Sequence, residues 1–79
     1  MYVAKDGDKM NNKFAERFFD LLVEHKLMPA QFASEMGISP NTVYNWLRGD
    51  YLPNLVMFFR ICEDYDVDPK WLWGGESDV

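Results

Sequence analysis

The segment that most constrains the fold is residues 29–48, PAQFASEMGISPNTVYNWLR, which is patterned as two short helices joined by a sharp turn. The small side chain of Ala33 lets a second helix approach closely, and Gly37 can take the positive φ that ends a helix. Three apolar residues then follow at helical spacing: Val43, Trp46 and Leu47. This pattern predicts two helices near a right angle, with the second buried along one side.

The opposite side of this second helix carries Asn41, Asn45 and Arg48, at positions i, i+4 and i+7. Amide and guanidinium groups hydrogen-bond base edges in the DNA major groove. A helix that is buried along one side and lined with such groups along the other is what a major-groove reader requires. The pattern therefore favours DNA binding, although exposed asparagines are also common on helices that only meet solvent.

Apolar spacing along the whole chain predicts five helices and no sheet, so the expected fold class is all-α. The first helix is expected to run to about Lys26, with His25 on its apolar side. A fourth helix should supply the far wall of the core through Leu55, Phe58, Phe59, Ile61 and Cys62. A short last helix around residues 70–73 is expected to end at two glycines.

The chain resembles the helix-turn-helix domain of Cro- and lambda-repressor-like transcription regulators of the xenobiotic-response-element type. The stretches that carry the resemblance are LMPAQFASEMGIS, NTVYNWLRG and LPNLVMFFRICEDYDVDPKWLWGG. The resemblance extends from about Arg17 to Gly75 and implies a five-helix lambda-repressor-like domain, which we expect over residues 11–75. Residues 1–10 are polar and are expected to form a flexible leader, with a tail at 76–79. It also implies a small regulator, expected to be a repressor borne by a phage or mobile element, that binds double-stranded DNA as a homodimer.

The resemblance further assigns the recognition helix to about residues 40–48 and places it in the major groove. The residues expected to contact DNA are Gln31, Ser39, Pro40, Asn41, Thr42, Tyr44, Asn45 and Arg48. Asn41 and Asn45 are expected to meet adenine edges, and Arg48 to meet either a phosphate or a guanine.

Four positions depart from the family pattern or leave its contacts open. Many members carry a phosphate-clamping glutamine where this chain has Pro29, so Gln31 is the expected substitute unless it is simply solvated. Members often pair an arginine with a glutamate where this chain has Leu22 and Leu47, so we expect these leucines to touch. Tyr44 either reaches a phosphate or folds back against its helix.

Two tryptophans near the C-terminus, Trp71 and Trp73, flank Leu72, which is expected to pack inward. At least one tryptophan should then be exposed, and an exposed tryptophan beside an apolar neighbour suggests an interface. Family members pair through this region, so both tryptophans are the expected dimer interface. The alternative is that both lie flat on the fourth helix.

The net charge of −5 comes from residues 63–79, because residues 1–62 carry equal numbers of acidic and basic side chains. Affinity for any DNA sequence comes from neutralising phosphates, so a neutral binding half predicts weak non-specific binding. The charge also keeps a rival function open: a protein-interaction module or antitoxin-like protein that uses the same helical fold.

Several function classes are disfavoured by composition. A single cysteine, Cys62, cannot form an intrachain disulfide and is expected to be a small core residue. One cysteine and one histidine do not make a usual zinc site, so no metal or other cofactor is expected. No catalytic set, secretory signal or apolar run of about 20 residues is present. We therefore expect a cytoplasmic, non-enzymatic protein with no membrane partner and no evident small-molecule substrate.

Overall fold

The computed structural model describes residues 12–75, which form five α-helices around one core. The helices are α1 (Asn12–Glu24), α2 (Pro29–Met36), α3 (Pro40–Arg48), α4 (Leu55–Tyr65) and α5 (Pro69–Trp73). No strand occurs within these residues, so the predicted five-helix, all-α fold is confirmed. The leader at 1–10 and the tail at 76–79 lie outside the described residues.

Side-chain caps and glycines set the ends of α2 and α3. Ser39 Oγ accepts the Asn41 backbone N–H at 3.1 Å and so begins α3. Gly37 and Gly49 have φ angles of 74° and 81°, which end α2 and α3 respectively. Glycine adopts this left-handed conformation without the steric penalty that a Cβ brings. The turn between the two helices is therefore fixed by local chemistry at both of its ends.

The core is organised around the aromatic rings of α1. Phe14 and Phe18 are fully buried and stack with their ring centroids 5.6 Å apart. Phe18 also meets Phe32 of α2 edge-on at 5.1 Å and Trp46 of α3 at 5.6 Å. The other buried side chains are Leu21, Leu22, Ala33, Met36, Val43, Phe58, Ile61, Cys62 and Leu72. Because the Phe18 ring contacts both α2 and α3, it helps to fix their orientation relative to each other.

The expectation that Leu55 and Phe59 line the core is wrong, since their side chains are 70% and 47% exposed. The buried side of α4 is a narrow stripe that centres on Phe58. Successive residues of an α-helix are about 100° apart, so Phe59 points well away from that stripe. Leu55 is the first residue of α4 and extends beyond the covered part of the core.

The end of α1 also differs from the prediction. The helix ends at Glu24, and Lys26 has a φ of 56°, so the chain has left the helix before it reaches the predicted end. His25 is consequently exposed rather than on the buried side, and its ring lies edge-on to Tyr65 at 5.1 Å. The Tyr65 hydroxyl donates to Glu35 Oε1 at 2.7 Å, which links α4 to α2.

Two predictions about the interior are confirmed. Leu72 of α5 is fully buried, and Cys62 of α4 is almost fully buried. Burial raises the pKa of the Cys62 thiol, with the charge of Asp68 adding to the rise, so the unreactive thiol form is favoured.

Among the described residues, no helix has the length and apolar character needed to cross a membrane.

Candidate nucleic-acid interface

The inner side of α3 is held against the bundle by apolar packing. Val43 is fully buried, Trp46 is 4% exposed, and the half-buried Leu47 packs against the core. The Trp46 indole meets the ring of Phe18, so α3 is anchored to α1 as well as to α2. The predicted buried stripe of this helix is confirmed.

The outer side of α3 is open to solvent. Asn41, Tyr44 and Arg48 are exposed at positions i, i+3 and i+7, and the Tyr44 side chain is 45% exposed. Pro40 is exposed as well, whereas Thr42 and Asn45 are half-buried. Tyr44 therefore belongs to the outermost stripe together with Asn41 and Arg48.

Shallow grooves flank α3 on its two sides. The first groove lies between α3 and the connector to α4, and its lining includes Thr42, Asn45, Tyr51 and Asn54. The second lies between α3 and α1 and is lined by Ala15, Glu16, Phe19, Leu47 and Arg48. The exposed stripe of α3 thus lies between two depressions.

Arg48 is bonded to its own neighbours at the end of α3. Its Nε donates to Asp50 Oδ2 at 3.1 Å, and its Nη2 donates to Asn45 Oδ1. A guanidinium has no acceptor, so the Asn45 atom that faces it must be the amide oxygen. The sequence-based site did not include Asp50. A carboxylate two residues beyond an arginine, across a helix-ending glycine, is the signal that could have found it.

Two of the predicted DNA contacts also cap helices. Gln31 Oε1 accepts the Met28 backbone N–H at 2.8 Å at the start of α2, and Ser39 caps α3. Both side chains are exposed. The amide NH2 of Gln31 and the hydroxyl hydrogen of Ser39 are donors, which is the kind of group a phosphate requires.

The two tryptophans of α5 have different surroundings. The Arg17 guanidinium lies over the Trp71 ring at 5.2 Å, and Arg17 Nη1 donates to the Trp71 carbonyl oxygen at 2.8 Å. Trp73 is exposed, and one edge of its ring meets Phe58 of α4 at 5.8 Å between centroids. The expectation that at least one tryptophan is exposed is confirmed by Trp73.

The contact between Leu22 and Leu47 stays a prediction that a double-mutant cycle can check. Leu22 is buried, and Leu47 packs against the same core. Residues in contact show coupling free energies of about 0.5–3 kcal/mol when both are replaced. We expect such coupling between Leu22→Ala and Leu47→Ala in urea unfolding. Additive losses of stability would show that the two side chains are apart.

Comparison with known proteins agrees with this geometry. The sequence profile of the helix-turn-helix family matches residues 20–72, a span that contains α2, the turn and α3. A search of curated proteins found no match. The chain is similar to the solution structure of the SOS-response transcriptional repressor LexA from Eubacterium rectale, with a TM-score of 0.79. The two are 19% identical over 98% of this chain and 83% of that chain, which is a likeness of fold. The family match covers most of the chain, which therefore belongs to the Cro/repressor-type helix-turn-helix family.

Proposed function

We propose that this protein is a sequence-specific regulator of transcription that places α3 in the major groove of double-stranded DNA. The observation that carries the proposal is the division of α3 into a side buried through Val43 and Trp46 and an exposed side with Asn41, Tyr44 and Arg48. In helix-turn-helix domains the second helix of the motif reads base edges, while the first helix crosses the backbone. The family match supports the same function.

Each residue of the site has a role in this proposal. Asn41, Asn45 and Arg48 meet base edges, because amide and guanidinium groups match the donor and acceptor patterns of the major groove. Ser39 and Pro40 enter the groove first, with the proline ring against a thymine methyl group. The residues proposed to contact phosphates through a hydroxyl or an amide are Gln31, Thr42 and Tyr44.

Charge at the motif makes a second copy of the protein important for binding. Within residues 29–48 the charged side chains are Glu35 and Arg48, and Glu35 accepts a hydrogen bond from Tyr65 of α4. One cation neutralises few phosphates, so a single domain holds DNA weakly. Two domains on one duplex would add their contacts, with the recognition helices about 34 Å apart.

A homodimer is supported by an exposed apolar surface, which we call the α4 patch and define as Leu55, Val56, Phe59 and Trp73. Leu55 and Trp73 also line a hollow with Leu52, Pro53 and Phe58. Exposed apolar clusters with aromatic members are typical of interfaces. We propose that Trp73 lies inside the dimer interface and Trp71, under Arg17, at its edge. The proposed role is repression, in the cytoplasm.

Selection of bound sequences from a random pool of duplex DNA tests this function, followed by a salt titration on the enriched sequence. We expect two half-sites whose centres are about one helical turn apart. The dissociation constant should rise with salt, because counterions compete for the phosphates. A pool in which no sequence is enriched would contradict the proposal.

Replacing Asn45 by alanine should weaken binding to the selected duplex by about 1–3 kcal/mol and relax the preference at one base position. The variant removes the half-buried Asn45 amide but leaves the buried side of α3 intact. Competition binding against duplexes that vary one position at a time measures both effects. Equal losses on every duplex, including unrelated ones, would show that Asn45 does not read a base.

The α4 patch also supports a second candidate function, a protein-interaction module of the antitoxin type. The acidic balance of the chain is consistent with it, since a net charge of −5 opposes binding to nucleic acid. The two functions give different results in the same selection. Enrichment of a DNA sequence favours the regulator, and its absence favours the interaction module.

A further inference from the structure

Three polar side chains at the end of α3 form a bonded series, which we call the exit cluster: Asn45, Arg48 and Asp50. Arg48 lies in the middle and donates to the oxygen of each neighbour, with 3.1 Å between its Nε and Asp50 Oδ2. The Arg48 and Asp50 side chains are 55% and 39% exposed. The cluster therefore lies on the surface that is proposed to meet DNA, and DNA can reach it.

Backbone geometry fixes the place of Asp50 in this cluster. Gly49 is in the left-handed conformation, and its N–H donates to the Trp46 carbonyl oxygen at 3.1 Å. The Asp50 N–H donates to the Asn45 carbonyl oxygen at 3.0 Å. Exposed ion pairs are usually weak because two long side chains must be ordered. Here the Asp50 side chain is short and its backbone is held at the end of α3, so forming the pair costs less conformational entropy.

The cluster changes what Asn45 can offer to a base. Its amide oxygen accepts from Arg48, so the groups that Asn45 and Arg48 turn to the groove are N–H donors. Guanine presents two acceptors there, O6 and N7, whereas adenine presents one acceptor and one donor. Pairing with adenine would need the Asn45 oxygen to accept a second hydrogen bond beside the one from Arg48, whereas guanine needs only donors. The joined pair is therefore complementary to guanine.

The cluster also limits what Arg48 can do with the DNA backbone. Arg48 is the cation of the motif, and any phosphate that it approached would compete with Asp50 for the guanidinium. A phosphate contact adds affinity for every sequence equally and adds salt dependence. Holding Arg48 beside Asn45 suppresses that unselective contact.

We propose that Asp50 is a specificity-determining residue, which holds Arg48 against Asn45 so that the two side chains read one guanine together. Asp50 acts through Arg48 and is a positioning residue. This inference rests on the proposed DNA-binding function and adds to it a base and a residue that is not among the proposed DNA contacts.

The test compares the full chain with Asp50→Ala, using the selected duplex and an unrelated duplex of equal length. The wild-type protein should require a guanine at the position whose preference is lost in Asn45→Ala. Asp50→Ala should lower that preference by about tenfold, because Arg48 is no longer held beside Asn45. The released Arg48 should add a phosphate contact, which steepens the slope of log affinity against log salt by about 0.9 on both duplexes.

Asp64→Ala is the matched control, because Asp64 is an exposed carboxylate that pairs with Arg60 of α4 at 3.5 Å. It changes the net charge by the same amount and also removes one arginine–aspartate pair. We expect it to leave the base preference and the salt slope as in the wild type. In an Arg48→Ala background, Asp50→Ala should no longer steepen the salt slope.

The outcomes separate the inference from the function on which it rests. If the wild type selects a sequence but requires adenine at the Asn45-dependent position, the inference is overturned and DNA binding stands. The same holds if Asp50→Ala and Asp64→Ala change binding equally. If the wild type selects no DNA sequence at all, the proposed function fails and the inference fails with it.

Discussion

We expect Trp46→Ala to lower the free energy of unfolding by about 3–5 kcal/mol, as is typical when a buried aromatic side chain is truncated. The indole is almost fully buried and lies against Phe18, the ring that also contacts Phe32 of α2. Its removal leaves a cavity between three helices. Urea unfolding followed by circular dichroism measures the loss.

The expected effect on DNA binding is larger than a lost contact would give, although Trp46 lies on the buried side of α3, away from the proposed DNA contacts. Native domains are stable by only about 5–15 kcal/mol, and a domain of this size is expected near the lower end. DNA binding should therefore fall because α3 is no longer held in place by the packing of Trp46 against Phe18. Tyr44→Ala, on the exposed side of the same helix, should change stability by less than about 0.5 kcal/mol. Similar losses for both variants would contradict the buried and exposed sides assigned to α3.

The helices and the motif were predictable because short-range chemistry specifies them. Gly37 ends one helix through its φ angle, and Ser39 begins the next by accepting a backbone N–H. The apolar stripe of α3 follows helical spacing without interruption. Each of these signals acts within a few residues of the feature that it determines. The helices can therefore be predicted from the sequence without knowing the tertiary fold.

The extent of the core was less predictable, as Leu55 and Phe59 show. Apolar spacing identifies one side of a helix, but it does not tell how wide a stripe of that side is covered, which decides Phe59, or whether the cover reaches the first turn, which decides Leu55. The helix that follows α4 and packs against it is α5. Its five residues span about 7.5 Å, whereas the 11 residues of α4 span about 16.5 Å. The uncovered part of α4 becomes the exposed apolar patch.

The candidate site was predictable in its main stripe but not in its internal bonds. Asn41 and Arg48 share a side of α3 by helical geometry alone. The bond from Arg48 to Asp50 depends on the φ of Gly49 and on the rotamers of two exposed side chains. The glycine and the carboxylate beyond it can be read from the sequence, but the two rotamers cannot, so spacing marks Asp50 as a candidate partner without establishing the bond.

Gly74→Ala should be among the most destabilising substitutions outside the aromatic core. Gly74 has a φ of 99°, and a Cβ added there would lie 2.4 Å from Lys13 Cβ of α1. The left-handed conformation costs a non-glycine residue about 1–2 kcal/mol, and the overlap adds about 1–3 kcal/mol because the Lys13 Cβ is fixed to the helix backbone. Urea unfolding should therefore show a loss of about 2–5 kcal/mol.

Gly37→Ala separates the two causes of that loss. Gly37 also has a positive φ, 74°, but a Cβ added there meets no atom within 4 Å. This variant should lose only the conformational part, about 1–2 kcal/mol. The difference between the two variants then measures how closely the end of α5 must approach α1. A larger loss for Gly74→Ala means that the close approach of α5 to α1 is needed for stability, and α5 carries both the buried Leu72 and the exposed Trp73. Equal losses would remove that link.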